Sequence, residues 1–275
     1  MVKSKINLVV ITTPPIREIL IGIFRDVMET IQWGAIELGY DVVISENVIL
    51  ADRTNIIFAF HMLPVAELDG LPPDSIIYNM EQLNQGQPLR PVCAVAAKRF
   101  QIWEYSGGNL PVWADLKPSL PVLHVPIGYA PILEKVDSKR SQDIDVLFFG
   151  LMTPSRVALL PALGHLRTVF ATNVYGQVRD DLVARSKIIL AISASGSPLL
   201  FPTVRISYAI ANAKAVVTDK KLVTFIEDDL AEAVVFAKPL SIVRVCEELL
   251  ATIPNDMRLS REPKRLCERE ILELF

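Results

Sequence analysis

Cysteine is scarce in this chain of 275 residues, with three in all at Cys93, Cys246 and Cys267. An odd number at wide spacing fits neither a disulfide framework nor a paired metal or redox motif, and a reducing, cytoplasmic setting is expected. Positive charge is not in excess either: 28 Lys and Arg stand against 31 Asp and Glu, for a net charge of −3. Such a chain lacks the basic balance that counterion release on a polynucleotide rewards, so no nucleic acid partner is expected. No apolar run approaches the roughly 20 residues that cross a bilayer, so any membrane contact would be peripheral. The apolar opening at residues 6–11 is too short for a signal segment and reads as a strand. His124 and His165 have no partner at metal-ligand spacing, which argues against zinc. No GxGxxG follows the first apolar run, and no GxSxG elbow occurs. These absences argue against a nicotinamide dehydrogenase and a serine hydrolase.

What the chain does have is apolar residues, 51% against 21% charged, as strands covered by helices on both faces require. Its length suits one large domain or two ordinary ones, and two is the better starting point. Short β-branched runs alternate with helical stretches, the signature of βαβ units around a mostly parallel sheet. Strands are expected at 6–12, 41–45, 55–60, 75–79 and 99–105, with a helix over 16–38 that stops at Gly39. A proline-rich connection fills 63–73. From 109 to 142, Pro111, Pro118, Pro121, Pro126 and Pro131 break helices and leave extended pieces such as 122–126. The pattern restarts at 145–149 and continues with strands at 168–175, 188–192, 215–218 and 233–236. Helices are expected at 156–166, 179–184, 204–212, 222–228 and 242–252. The organisation is therefore an N-terminal half over 1–125, a linker over 126–142 and a C-terminal half over 143–275.

Ligands of open α/β sheets bind beyond the carboxyl ends of the strands. The residues there include Thr12, Thr13, His61, Asn79, Glu81 and 104–109 in the first half, and 150–156, 175–179, 193–197 and 218–220 in the second. The most suggestive stretch is Leu200-Phe-Pro-Thr-Val-Arg-Ile-Ser-Tyr-Ala-Ile-Ala-Asn-Ala-Lys-Ala-Val-Val-Thr-Asp219. Thr203 can cap a helix whose first-turn amides face an anion, and Arg205 adds positive charge at that end. A cation near a helix start opposes the macrodipole unless an anion compensates it.

This stretch resembles the donor-site segment of GT-B glycosyltransferases, especially bacterial polysaccharide-type members with an Arg-x-x-Glu-Ala-x-Ala-x-Gly pattern. Arg205, Ala209 and Ala211 match it. Upstream, Asp143-Ile-Asp-Val-Leu-Phe-Phe-Gly-Leu-Met-Thr-Pro-Ser-Arg156 is similar to the strand, glycine loop and basic residue that open the donor domain. Asn173-Val-Tyr-Gly176, followed by Arg179-Asp-Asp-Leu182, keeps the same order. The resemblance covers about 143–250 and implies two Rossmann-like domains facing each other across a cleft, with the last helices crossing back toward the first. It further implies that Gly150 lets a donor diphosphate approach the backbone, that Arg156 and Arg205 neutralise it, and that Tyr175 and Gly176 border the base. Thr203 and Tyr208 complete the implied donor set. The sequence departs from the pattern at Tyr208, where a ribose-holding carboxylate is usual, and at Ala213, where glycine is usual.

The first half resembles the family less specifically, through Ile76-Ile-Tyr-Asn-Met-Glu-Gln-Leu83 and Ile102-Trp-Glu-Tyr-Ser-Gly-Gly-Asn-Leu110. Glu104, Glu81 and His61 are the candidate bases for an acceptor hydroxyl, with Glu104 preferred. Asp143 and Asp145 have a metal-binding Asp-x-Asp form but precede a buried strand, so no metal is expected. No cofactor is expected either, because the nucleotide-sugar is the donor substrate, and the acceptor would be a carbohydrate or glycoconjugate. The reading is thus a metal-independent glycosyltransferase. The alternatives are a non-catalytic nucleotide-sugar-binding or scaffold protein, for which Tyr208 and Ala213 argue, and a DNA-base glycosyltransferase, which the charge balance disfavours.

Overall fold

The structure is a computed structural model that describes residues 4–83, 89–137, 139–192, 201–219 and 225–253. The described residues fall into two compact units that divide between Ala130 and Pro131.

The first unit opens with β1 (Lys5–Val10) and α1 (Arg17–Glu37). Leu20, Phe24, Val27, Met28, Ile31 and Ala35 recur every three or four residues on α1 and form its buried face. The helix ends as the glycine predicts. Gly39 takes φ +84°, its N–H bonds the Ile36 carbonyl, and the Tyr40 N–H bonds the Ala35 carbonyl, closing a Schellman motif. Next come β2 (Asp41–Glu46), β3 (Thr54–Phe58), α2 (Val65–Leu68) and β4 (Ile76–Asn79). They are followed by α3 (Arg90–Arg99), β5 (Gln101–Glu104), α4 (Leu110–Asp115) and β6 (Leu123–His124). The strands pair in parallel in the order β2-β1-β3-β4-β5-β6. Phe58 and Trp103 each meet Tyr78 edge to face in this core, Phe24 packs on Phe58 at a tilt, and the Tyr78 hydroxyl donates to the Val125 carbonyl at 2.7 Å.

Two expectations change here. The strand expected at 99–105 begins only at Gln101, because Arg99 is the last residue of α3. Pro111, expected to break helices, instead sits in the first turn of α4, where its missing N–H costs nothing.

The second unit contains β7 (Ile144–Phe149), α5 (Pro154–Val157), β8 (Thr168–Ala171), α6 (Gly176–Arg185) and β9 (Ser186–Ala191). It continues with α7 (Thr203–Ala211), β10 (Ala215–Asp219), α8 (Asp228–Ala233), β11 (Val235–Ala237) and α9 (Ile242–Thr252). Its parallel order is β11-β10-β9-β7-β8. Read from the other edge, the second, first, third, fourth and fifth strands of each unit follow one another, so both units share one winding. One face of the second sheet packs Leu147, Ile189 and Val216 with Ile206 and Ile210 of α7. The other packs Val146, Phe148 and Val217 with Ile242 and Cys246 of α9.

The helix expected at 156–166 is two short pieces, α5 and a 3₁₀ turn over Pro161–Leu163. Of the helix expected at 222–228, residues 222–224 lie outside the described residues; Phe225 forms an isolated bridge, and α8 begins at Asp228. The expected return of the last helices falls on residues 254–275, and the loop at 193–197 on 193–200; both lie outside the described residues.

Just inside this unit, the Asn212 amide grips the incoming chain. Its Oδ1 accepts from the Lys135 and Val136 N–H groups, each at 3.0 Å, and its Nδ2 donates to the Leu133 carbonyl at 2.9 Å.

Candidate functional site

Each sheet reverses its winding once, between β1 and β3 in the first unit and between β7 and β9 in the second, and the crevice at that point is where ligands enter such folds.

In the second unit the crevice begins at Gly150, the residue after β7. It holds φ +136°, a conformation open only to glycine, and a Cβ there would lie 2.2 Å from Arg205 Nη2. Arg205, in the first turn of α7, therefore lies directly against the Gly150 backbone. Its Cζ is 4.8 Å from the Phe148 ring centroid and 5.6 Å from that of Phe149. Its Nε and Nη1 are enclosed and have no hydrogen-bond partner among the described residues. Burial, reinforced by the charge of Arg156, lowers its pKa to about 9, which leaves it charged at neutral pH. An enclosed guanidinium with two unused donor positions is costly unless an anion reaches it.

Arg156 is buried too, but it is occupied. Its Nε and Nη2 donate to the Ile192 carbonyl at 3.1 and 2.6 Å, and its Nη1 donates to the Leu151 carbonyl. It spans the switch point, tying the ends of β7 and β9, while its Cζ lies 5.0 Å from the same Phe148 ring. Burial lowers its pKa, and Asp219 opposes this. Tyr175 is the N-cap residue of α6 and is half-buried. Desolvation raises its pKa against the charges of Arg205 and Arg179, so its hydroxyl stands within their field. Gly176 has φ +55° with open space where a Cβ would be, so its backbone angle, not crowding, favours glycine.

Two donor-site residues differ from their expected roles. Thr203 does not cap α7: the N-cap is Pro202, and the Thr203 hydroxyl donates to the Phe201 carbonyl at 3.4 Å. Proline at the cap leaves no side-chain oxygen for the amides, and Thr203 is already inside the helix. Tyr208 is buried with its hydroxyl donating to Asp180 Oδ1 at 2.5 Å. The Arg179 guanidinium stacks 3.7 Å from its ring centroid and also bonds Asp180, at 3.0 and 2.9 Å. The Arg179-Asp-Asp-Leu182 stretch and Tyr208, far apart in the sequence, meet in this cluster.

Asp143 and Asp145 lie at the amino end of β7, away from the crevice. Asp143 pairs with Arg185 at 2.8 and 2.7 Å. Asp145 pairs with Arg167 at 2.9 and 2.7 Å and with Lys187 at 3.2 Å. Hydrogen bonds from Arg185 and Arg167 respectively hold both carboxyls down at about 2. Among the described residues no group of three or more His, Cys, Asp or Glu could hold a metal ion.

In the first unit His61 follows β3 on a 3₁₀ turn, entered through Ala59 at φ +54°. Its side chain is 9% exposed, its Nε2 lies 3.7 Å from Glu81 Oε1, and its Nδ1 is buried without a hydrogen-bond partner among the described residues. Desolvation lowers the His61 pKa and raises that of Glu81, whose side chain is 36% exposed, to about 7. Burial thus favours the uncharged form of each group, the neutral imidazole and the protonated carboxyl, and sets a proton acceptor beside a proton donor.

Glu104, the preferred base from sequence, is placed differently. It is 0% exposed and its carboxylate accepts four N–H donors. Asn79 Nδ2 and Trp113 Nε1 reach Oε2, each at 2.7 Å, and the Ser106 N–H and Asn109 Nδ2 reach Oε1, each at 2.9 Å. Burial raises its pKa to about 7 against the pull of these bonds. Filled on every side, it has no vacant direction for a substrate hydroxyl.

No family model and no curated protein matches this chain in sequence. Solved structures match it in fold. AviGT4, a glycosyltransferase involved in avilamycin A biosynthesis, aligns with a TM-score of 0.60 at 18% identity, over 94% of this chain and 91% of its own. WaaG, a glycosyltransferase involved in lipopolysaccharide biosynthesis, aligns at 0.52 and 12% identity, over 92% of each chain. Sucrose-phosphate synthase from Thermosynechococcus elongatus aligns at 0.50 and 10% identity, over 99% of this chain and 95% of its own. At such identities the likeness is one of fold. The chain has the α/β architecture of these GT-B glycosyltransferases, two Rossmann-like units of parallel sheet. None of its described helices is long and apolar enough to cross a membrane.

Proposed function

We propose that this protein transfers a sugar from a nucleotide-sugar donor to a hydroxyl group of a carbohydrate or glycoconjugate, in polysaccharide or glycoconjugate synthesis. One observation carries the reading: Arg205, enclosed against the Gly150 backbone at the switch point, with Nε and Nη1 unpartnered among the described residues. The donor diphosphate supplies the missing acceptors, and charge that builds on it as leaving group is met by a preorganised guanidinium. Arg156 adds field without needing to leave its carbonyls, and the two cations take the charge-neutralising part without a metal. Tyr175 and Gly176 border the nucleoside side, and the Glu81–His61 pair takes the acceptor proton.

A second reading, binding without turnover, is favoured by Tyr208, whose hydroxyl is already given to Asp180 and whose ring is covered by Arg179. Thermal unfolding with UDP, GDP, CMP, TDP and their sugars tests both. A bound ligand at 100 times its Kd adds about 2.7 kcal/mol. Stabilisation by one nucleotide family with release of nucleoside diphosphate supports transfer; stabilisation without turnover across acceptors supports the second reading. No stabilisation by any of them overturns both.

A further inference from the structure

We infer that Glu104 is a positioning residue that holds Glu81 opposite His61, through a closed ring of hydrogen bonds with Asn79 and Asn109. The inference rests on Glu81 and His61 as the acid–base pair of the proposed function, but its test requires no turnover.

The ring is built from two side-chain amides that each bridge the same two acceptors. Asn79 Nδ2 donates one hydrogen to Glu104 Oε2 at 2.7 Å and the other to the Glu81 carbonyl at 3.0 Å. Asn109 Nδ2 donates to Glu104 Oε1 at 2.9 Å and to the same carbonyl at 2.8 Å. An amide nitrogen has two hydrogens, so both asparagines are used to capacity as donors. Their oxygens are used as well. Asn79 Oδ1 accepts the Glu81 N–H at 3.3 Å, and Asn109 Oδ1 accepts the Leu83 N–H at 3.0 Å. The backbone of residues 81–83 is thereby pinned at three points by side chains from two other parts of the sheet edge.

Glu104 is what orients those two amides. With both oxygens facing N–H groups, it fixes which end of each asparagine carries the nitrogen, and the Ser106 N–H and Trp113 Nε1 fill its remaining lone pairs. Reversal of either amide would set an oxygen against an oxygen at both ends of the bridge. The carboxylate thus acts two contacts away from the chemistry, through the Glu81 backbone, on the side chain that faces His61 at 3.7 Å. Buried networks of this kind specify geometry when every member is satisfied, as every member is here.

The imidazole resonances of His61, followed by NMR across pH 4.5 to 9, provide the test, with His124 and His165 as internal controls. In the wild type they should show two inflections, one from His61 itself and one from Glu81, as expected of coupled neighbours. Glu81→Gln should remove the second. Glu104→Gln keeps the shape but turns an NH₂ toward two N–H donors. Asn109→Ala keeps the Glu104 charge and opens the ring. In both folded variants the Glu81 inflection should vanish from the His61 resonances while that of His61 persists. Retention of both inflections in either folded variant overturns the inference. So does failure of both variants to fold, since the ring would then belong to fold stability alone. Failure to bind any nucleotide would remove the proposed function and leave this result standing.

Discussion

Replacing Arg205 by alanine should separate binding from folding, because the same side chain is a liability before a ligand arrives and an asset afterwards. Two of its nitrogens, Nε and Nη1, are enclosed without a partner among the described residues. Each hydrogen bond to a charged group contributes about 1.5–3 kcal/mol. Losing one such bond alone weakens nucleoside diphosphate binding by roughly ten- to a hundredfold. Without ligand the truncation removes a desolvated, unpaired cation and loses its packing on Phe148 and Phe149; these effects oppose each other, so stability should change by less than about 1 kcal/mol. Arg205→Lys should recover part of the affinity, keeping charge but losing the planar fork. Calorimetric titration of the nucleotide that stabilises the wild type gives the first quantity, and urea unfolding of the ligand-free variants gives the second. Wild-type affinity in folded Arg205→Ala would refute the donor-site argument. A loss of more than about 3 kcal/mol of unliganded stability would make Arg205 a structural residue, as large losses mark disrupted cores or networks.

Gly150→Ala should be more damaging than its size suggests: the new Cβ meets Arg205 Nη2 and the backbone must leave φ +136°, so nucleotide affinity should fall with a stability loss of about 1–3 kcal/mol, read by titration and urea unfolding. Tyr208→Phe should cost about 1 kcal/mol of stability by removing the bond to Asp180, with unchanged nucleotide affinity; a large affinity loss would return the hydroxyl to the ligand site. Ala213→Gly should raise stability by up to about 1 kcal/mol in thermal unfolding, since φ +52° strains an L-residue more than glycine's extra unfolded freedom costs. Burial raises Glu104 from 4.5 to about 7, so the folded state keeps its proton longer than the unfolded chain does. Its contribution is therefore full below pH 4.5 and lost as the pH rises to about 7, and denaturation between pH 5 and 8 should show a falling stability that Glu104→Gln flattens by on the order of 1–3 kcal/mol.

The alternation of strand and helix was legible because sheets covered on both faces demand apolar runs such as those of β7 and β9, and because Gly39 and the period of α1 agree on where the first helix ends. Helix α9 is readable to the residue for the same reason, with Ile242, Val245, Cys246 and Leu249 on the side that packs against the sheet. Prolines misled where they stand inside first turns: Pro111 starts a helix that its neighbours continue, while Pro161 divides one expected helix into two pieces. At the crevice, Gly150 and Arg205 were singled out by residue type and offset from a strand, which local chemistry suffices to suggest. What local chemistry does not encode is the company a side chain keeps. Asn79 reaches Glu104 from 25 positions away because β4 and β5 are neighbours, while Asn109 and Trp113 fold back from the turn and helix after β5, and together they turn a candidate base into an enclosed hub. Nor does the spacing of Arg156 and Tyr208 show that the Ile192 carbonyl and Asp180 lie within their reach.

The Arg156 tie has a consequence for how any ligand arrives. By joining the Leu151 and Ile192 carbonyls it works as a crossbeam over the mouth between β7 and β9, and the beam is set when the unit folds. For the donor proposed above, the Arg156 side of this rim is thus in place before the ligand arrives. Binding there should leave the surrounding backbone nearly still, and the ordering cost of forming the rim is met once, during folding, instead of at each encounter.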